Sequence, residues 1–122
     1  MKHKYLLQKL SGFLFAATFI LSGCIHLPTH HEFGSYSNAE KFYAEGKYDK
    51  AISSYKKYID EQPEGNLAII SKYYIGKSHA ALKQNSEAKA EFEAIVNKYP
   101  DLIWAELSKE QLKNLAAEPP KS

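Results

Sequence analysis

The one constellation of ligand-type side chains in this 122-residue chain lies between Cys24 and Glu32. Cys24 is the single cysteine, which excludes a disulfide within the chain and leaves the thiol for covalent modification. His26, His30, His31 and Glu32 follow it, and imidazole suits zinc, copper or nickel. His26 and His30 would share one face of a helix, but Pro28 stands between them and argues against that helix. A solvated tether is the expected state of this segment, with a metal-handling protein using the tether histidines as the alternative reading. Chemistry is thin elsewhere. There is no glycine-rich phosphate loop, and the carboxylates are spaced as ordinary helix-surface charge. His79, alone on an apolar stretch, reads as an interhelical packing residue. Neither enzymatic activity nor a cofactor is expected.

The residues before Cys24 explain what its thiol is for. Lys2, Lys4 and Lys9 form a positive leader, and Leu10 to Leu21 is apolar apart from Ser11, Gly12 and Thr18. A spanning helix needs about 18 or more apolar residues. This run stops short of that before Pro28, so an uncleaved anchor is the weaker reading. Leu21-Ser22-Gly23-Cys24 resembles the bacterial lipobox, in which the chain is cut just before a cysteine that carries a diacylglycerol thioether. The resemblance implies that residues 1–23 are a signal peptide and that Cys24 is the lipidated N-terminus of the mature protein. Two acyl chains hold a protein stably at a membrane, whereas one holds it only marginally. Ile25 after the cysteine, rather than Asp, implies the periplasmic face of an outer membrane over an inner-membrane location.

Charge excludes one class of partner. The precursor carries a formal net charge of +2, but three of its lysines fall in the leader and all 14 acids lie after it. The remainder is close to neutral. It contains no arginine, and its lysines alternate with Glu and Asp instead of clustering, so a nucleic-acid surface is not expected. A chain of this length makes one domain. Residues 24–34 read as the lipidated tether, with Pro28 and Gly34 in it, and ten extended residues reach at most about 33 Å. Residues 117–122, with Pro119-Pro120, read as a disordered tail.

Between tether and tail, over residues 35–116, the sequence repeats with a period of 37 residues: Ala51 returns as Ala88, Tyr55 as Phe92, Tyr58 as Ile95, Ile59 as Val96, Pro63 as Pro100 and Ala39 as Gly76. Small residues sit where two backbones approach, aromatic and branched residues fill the groove, and proline ends the second helix. Gly46-Lys47-Tyr48-Asp49-Lys50-Ala51, followed by Tyr55 and Pro63, resembles the tetratricopeptide repeat, a helix-turn-helix unit of about 34 residues. The second unit departs from the first: Lys83 replaces the turn glycine, Asn85 replaces Tyr48 and His79 replaces Phe42. The longer period and the closing Asn97-Lys98-Tyr99-Pro100 are similar to repeats of periplasmic lipoproteins of the BamD type and of the Tol-Pal-associated coordinator. The fold implied is all-α, a short tetratricopeptide-like α-α solenoid of two helical hairpins plus a C-terminal capping helix.

Helices are expected at about Ser35–Glu45, with Ser37 and Glu40 as a capping box and Gly46 as the stop, then at about Asp49–Gln62, Asn66–Leu82 and Ser86–Tyr99. The third is apolar round most of its circumference and should be sandwiched. A fifth, with Asp101 as N-cap and Trp104 as its core anchor, reads as the end cap of the stack. The first helix keeps one uncovered flank, which leaves room for self-association or a partner helix. In the resembled family the first helix of each unit lines the binding groove. Transferred to this sequence, that gives Tyr36, Glu40, Tyr43 and Lys47 from the first unit and Ile70, Tyr73, Lys77 and Gln84 from the second. The lysine and asparagine clamp on a peptide's C-terminal carboxylate is absent, since Tyr36 and Glu40 occupy that stretch. The function implied is a membrane-anchored scaffold that binds another cell-envelope protein, in outer-membrane assembly or as an accessory subunit recruiting an envelope enzyme.

Overall fold

The computed structural model describes residues 34–118, and within them the chain forms five helices: α1 (Gly34–Ala44), α2 (Tyr48–Glu61), α3 (Asn66–Ala81), α4 (Asn85–Lys98) and α5 (Ile103–Ala117). Consecutive helices pack on one another, and α3 also touches α5. The result is two hairpins, α1–α2 and α3–α4, closed by α5: a short all-α solenoid. The lipobox, Cys24, the tether histidines and the residues after Glu118 lie outside the described residues.

The turns inside the two hairpins are the same turn made from different residues. Gly46 N–H donates to the Tyr43 carbonyl at 3.0 Å and Lys47 N–H to the Phe42 carbonyl at 2.8 Å, with Gly46 at φ +71°. Lys83 N–H donates to the Ala80 carbonyl at 3.0 Å and Gln84 N–H to the His79 carbonyl at 2.9 Å, with Lys83 at φ +63°. Both are Schellman closures, which satisfy helix-end carbonyls at the cost of one left-handed residue. Glycine takes that conformation freely and lysine does not. The prolines act one step later: Pro63 and Pro100 follow α2 and α4, where they cannot extend the helix.

The core follows the repeat. Ala39, Ala51, Ile52, Tyr55 and Ile75 form one buried cluster, and Ile69, Tyr73, Ala88, Phe92 and Ile95 form the other, with Tyr74 packed against both. The α3 helix buries Ala68, Ile69, Ser71, Tyr73, Ile75, Gly76 and Ser78, which lie on more than one side of it, as its all-round apolarity requires. Its two buried serine hydroxyls are satisfied within the helix, Ser71 donating to the Leu67 carbonyl and Ser78 to the Tyr74 carbonyl, each at 2.7 Å. Trp104 is half-buried in the second cluster, 5.3 Å from the Tyr73 ring.

Two local expectations need correction. Helix α1 begins at Gly34, so Ser37 lies inside the first turns and cannot act as its N-cap. The residue that caps α5 is Leu102, in extended conformation and with no side-chain bond, not Asp101; the turn after Pro100 simply runs longer than the sequence pattern suggests. Both ends of the stack carry exposed charge, with Asn38 and Lys41 exposed on α1 and Glu106, Lys109, Glu110 and Lys113 on α5. Among the described residues the exposed large apolar side chains are Leu102 and Ile103, the latter 65% exposed.

Candidate functional site

Helices α1, α3 and α5 come first in their units, and the side chains between them form a continuous aromatic chain. Tyr36 meets Tyr55 at 5.8 Å and Tyr58 at 5.4 Å, both edge to face. Tyr74 stacks on Tyr55 at 5.9 Å and receives the edge of Tyr43 at 5.0 Å, and Tyr43 in turn meets Tyr48 at 5.5 Å. Tyr73 touches Tyr74 at 5.7 Å, Phe92 at 5.6 Å and Trp104 at 5.3 Å. Edge-to-face pairs in this range add about 0.5–1.5 kcal/mol beyond the area they bury. Many of the tyrosines are thereby committed to holding the hairpins together.

One cation sits on this chain of rings. Lys77 Nζ lies 5.8 Å from the centroids of both Tyr43 and Tyr74, and all three side chains are half-buried. Burial works to lower the Lys77 ammonium, and the oxygens of Tyr43, Tyr73 and Tyr74 outweigh it, so its pKa is raised. Burial raises the Tyr36 phenol well above its ordinary range, with the Glu40 carboxylate adding to the effect. The Tyr55 phenol is raised for the same first reason, and its buried hydroxyl finds no hydrogen-bond partner. Burial likewise raises Tyr73, partly opposed by Lys77.

The eight residues expected on the binding face do not stay together. Tyr43 and Lys77 sit together, half-exposed, and Tyr36 and Glu40 sit side by side further along α1. Lys47 and Gln84 are in the hairpin turns with their side chains engaged locally. Lys47 pairs with Glu45 at 2.7 Å, which holds that carboxyl below its usual range, and the His79 imidazole N–H donates to Gln84 Oε1 at 2.6 Å. Ile70 is half-buried and belongs to neither core cluster. Tyr73 corrects the expectation that it faces a partner: it is 6% exposed, covered by Phe92 and Trp104. The half-buried ring beside Lys77 is Tyr74, which packs against both core clusters and which the repeat offset passes over because Tyr73, not Tyr74, aligns with Tyr36.

Two clefts lie away from the rings. One of about 340 Å³ lies between α4 and α5, lined by Asn85, Lys89, Glu93, Leu112 and Leu115 among others. The other, of about 240 Å³, is bordered by Lys56, Asp60, Lys72 and Glu91 over Ile59 and Ile75. Each mixes charges of both signs, and Lys89 is already paired with Glu93 at 3.7 Å. Among the described residues no group of His, Cys, Asp and Glu could hold a metal ion, and no helix is long and apolar enough to cross a membrane.

The family model for the tetratricopeptide repeat matches residues 39–65 and 71–102, which cover most of both hairpins and the entry to α5. The domain is tetratricopeptide-like. Repeats of this kind serve as protein-interaction modules and are generally scaffolds without catalytic activity. Comparison with curated proteins finds no match. In a tetratricopeptide-like unit the buried partners of Tyr36 and Tyr73 are equivalent: Tyr55 and Tyr58 under the first, Phe92 and Ile95 in the cluster of the second.

Proposed function

We propose that this protein is a lipid-anchored scaffold of the bacterial cell envelope, which docks another envelope protein on the face built from α1, α3 and α5. Cys24 carries the lipid, and the short tether keeps the domain at the membrane surface, on the periplasmic side of the outer membrane. Assembly of outer-membrane components is the role that fits such a placement. The lipobox and the positive leader support the anchoring. The observation that carries the binding role is the half-exposed group of Tyr43, Tyr74 and Lys77, an aromatic and cationic surface with tetratricopeptide-like helices on either side of it. Tyrosine supplies large contact area and a hydroxyl with few rotatable bonds, the composition favoured at protein contacts.

Two measurements test the parts separately. Cys24→Ser should abolish incorporation of labelled palmitate and release the protein from the membrane fraction, and labelling that persists would refute the anchor. A photo-crosslinking residue at Tyr43 should capture a defined envelope protein in intact cells, while the same residue at Lys57, exposed on α2, should not. Equal capture from both positions, or none from Tyr43, would refute the binding face.

A further inference from the structure

Among the described residues Lys77 is set apart from the other lysines by the two rings beneath it, since Lys41, Lys56, Lys72 and Lys113 also have no carboxylate within 4 Å and Lys72 is half-buried too. Lys47, Lys57, Lys83, Lys89 and Lys109 each have a carboxylate within 4 Å. Lys50 and Lys98 each lie over a single ring, Phe42 and Tyr99, and are exposed. Lys77 is half-buried, rests on two rings at once, and has no carboxylate among the described residues within ion-pair distance. A ring face attracts an ammonium without neutralising it and removes part of its water. The charge is thus fixed in place, partly desolvated and still positive, as its raised pKa also indicates. An ammonium has three donors; the Tyr43 hydroxyl oxygen engages one, and the ring faces consume neither of the others fully. The acids nearest the rings stand elsewhere on the face: Glu40 acts on Tyr36, and Glu110 on Tyr73. They would repel a densely acidic segment while leaving the centre positive.

Resting on the binding face proposed above, we propose that Lys77 is the specificity residue of that face, and that it receives one carboxylate side chain from an otherwise uncharged, extended segment of the partner. The rings of Tyr43 and Tyr74 line the approach and contact the apolar part of the same segment. An ion-paired hydrogen bond of this kind, partly shielded from water, discriminates more strongly than an exposed surface pair.

The test uses the full chain in non-ionic detergent and two terminally blocked twelve-residue peptides of Ala, Ser and Leu that differ only in a central Glu or Gln. Binding is followed by amide shifts of α1 and α3. The Glu peptide should bind about tenfold more tightly than the Gln peptide. Lys77→Gln should erase that preference, Lys77→Arg should retain most of it, and Lys57→Gln on α2 should leave it unchanged. Tyr43→Ala should weaken both peptides alike. Equal binding of the two peptides, with Tyr43→Ala still weakening both, would overturn the role of Lys77 and leave the face intact. Peptide shifts indifferent to Tyr43 would remove the face itself. Two further outcomes overturn the proposal: a Glu preference that survives Lys77→Gln, and Lys77-dependent binding to phosphatidylglycerol vesicles in place of the Glu peptide.

Discussion

Gly76 has no room for a side chain because Phe92 is already there. A methyl group placed on its α-carbon would meet Phe92 Cε1 at 2.8 Å and Cζ at 2.9 Å. Phe92 is fully buried against Tyr73 and cannot swing away. In the first unit the same place is held by Ala39, also fully buried, in the cluster with Tyr55. Alanine favours a helix over glycine by about 1 kcal/mol, yet overpacking a filled core costs about 1–3 kcal/mol. Gly76→Ala should therefore destabilise the domain by roughly 1 kcal/mol in chemical denaturation. Adding Phe92→Leu should make the double variant better than the sum of the two single ones. Simple additivity would show that the close approach is not what excludes the methyl.

The two hairpin turns give opposite expectations for the same substitution logic. Gly46→Ala should cost about 1 kcal/mol, since φ +71° is strained for any residue with a β-carbon. Lys83 already bears that strain, so Lys83→Gly should recover about 0.5–1 kcal/mol. The exposed pair of Lys83 with Glu118, at 3.2 Å, is lost in the change and contributes less than about 1 kcal/mol. A Lys83→Gly variant with a lower melting temperature than the parent would mean that the ion pair outweighs the backbone.

Tyr55 should show itself at high pH. Burial raises its phenol, and that of Tyr36, far above the ordinary tyrosine value of 10.0. The folded state then holds protons that the unfolded chain gives up above about pH 10, so stability is intact below that pH and falls as pH rises beyond it. Tyr55→Phe removes one such group and also an orphaned hydroxyl, matching the Phe92 of the second unit. It should raise stability at neutral pH by about 1 kcal/mol and make the alkaline loss shallower. Denaturation midpoints at about pH 7 and about pH 11 decide it, and an unchanged alkaline slope would contradict the assignment.

The hairpins were legible because small, aromatic and proline positions recur with one period, and that recurrence fixes which faces meet. Helix ends are legible to within a residue or two throughout, where a turn residue marks them, as Gly46 does, and also where no side chain caps the end, as at Leu102. The binding face was only partly legible. Repeat alignment treats Tyr36 and Tyr73 as equals, but Tyr73 has the Trp104 ring of α5 against it, whereas the residue one period before Trp104 is Leu67, which has no ring. The position beside Lys77 passes to the half-buried Tyr74, whose counterpart in the first unit is Ser37 and which periodicity alone therefore cannot mark. Repeat alignment sets Lys47 and Gln84 on the face, whereas local bonds that no spacing rule reveals engage them in the turns.

Tyr43 and Tyr73 provide the sharpest separation of binding from packing. Tyr73 is buried among Phe92, Trp104 and Tyr74, and Tyr73→Ala should destabilise the domain by about 3–5 kcal/mol as a large-to-small core change. Tyr73→Phe keeps the ring and should hold most of that stability. Tyr43 is half-exposed, and its contacts to Tyr48, Tyr74 and Lys77 are at the surface of the stack, so Tyr43→Ala should cost about 1 kcal/mol in folding. Truncation of a contact aromatic costs about 2 kcal/mol or more in binding, so the same variant should lose most of the partner that co-purifies with the parent while remaining folded. Circular dichroism melts alongside partner recovery distinguish the two residues. A Tyr43→Ala variant that unfolds, or that recovers its partner at the parental level, would reassign Tyr43 to the core and remove the binding face from α1.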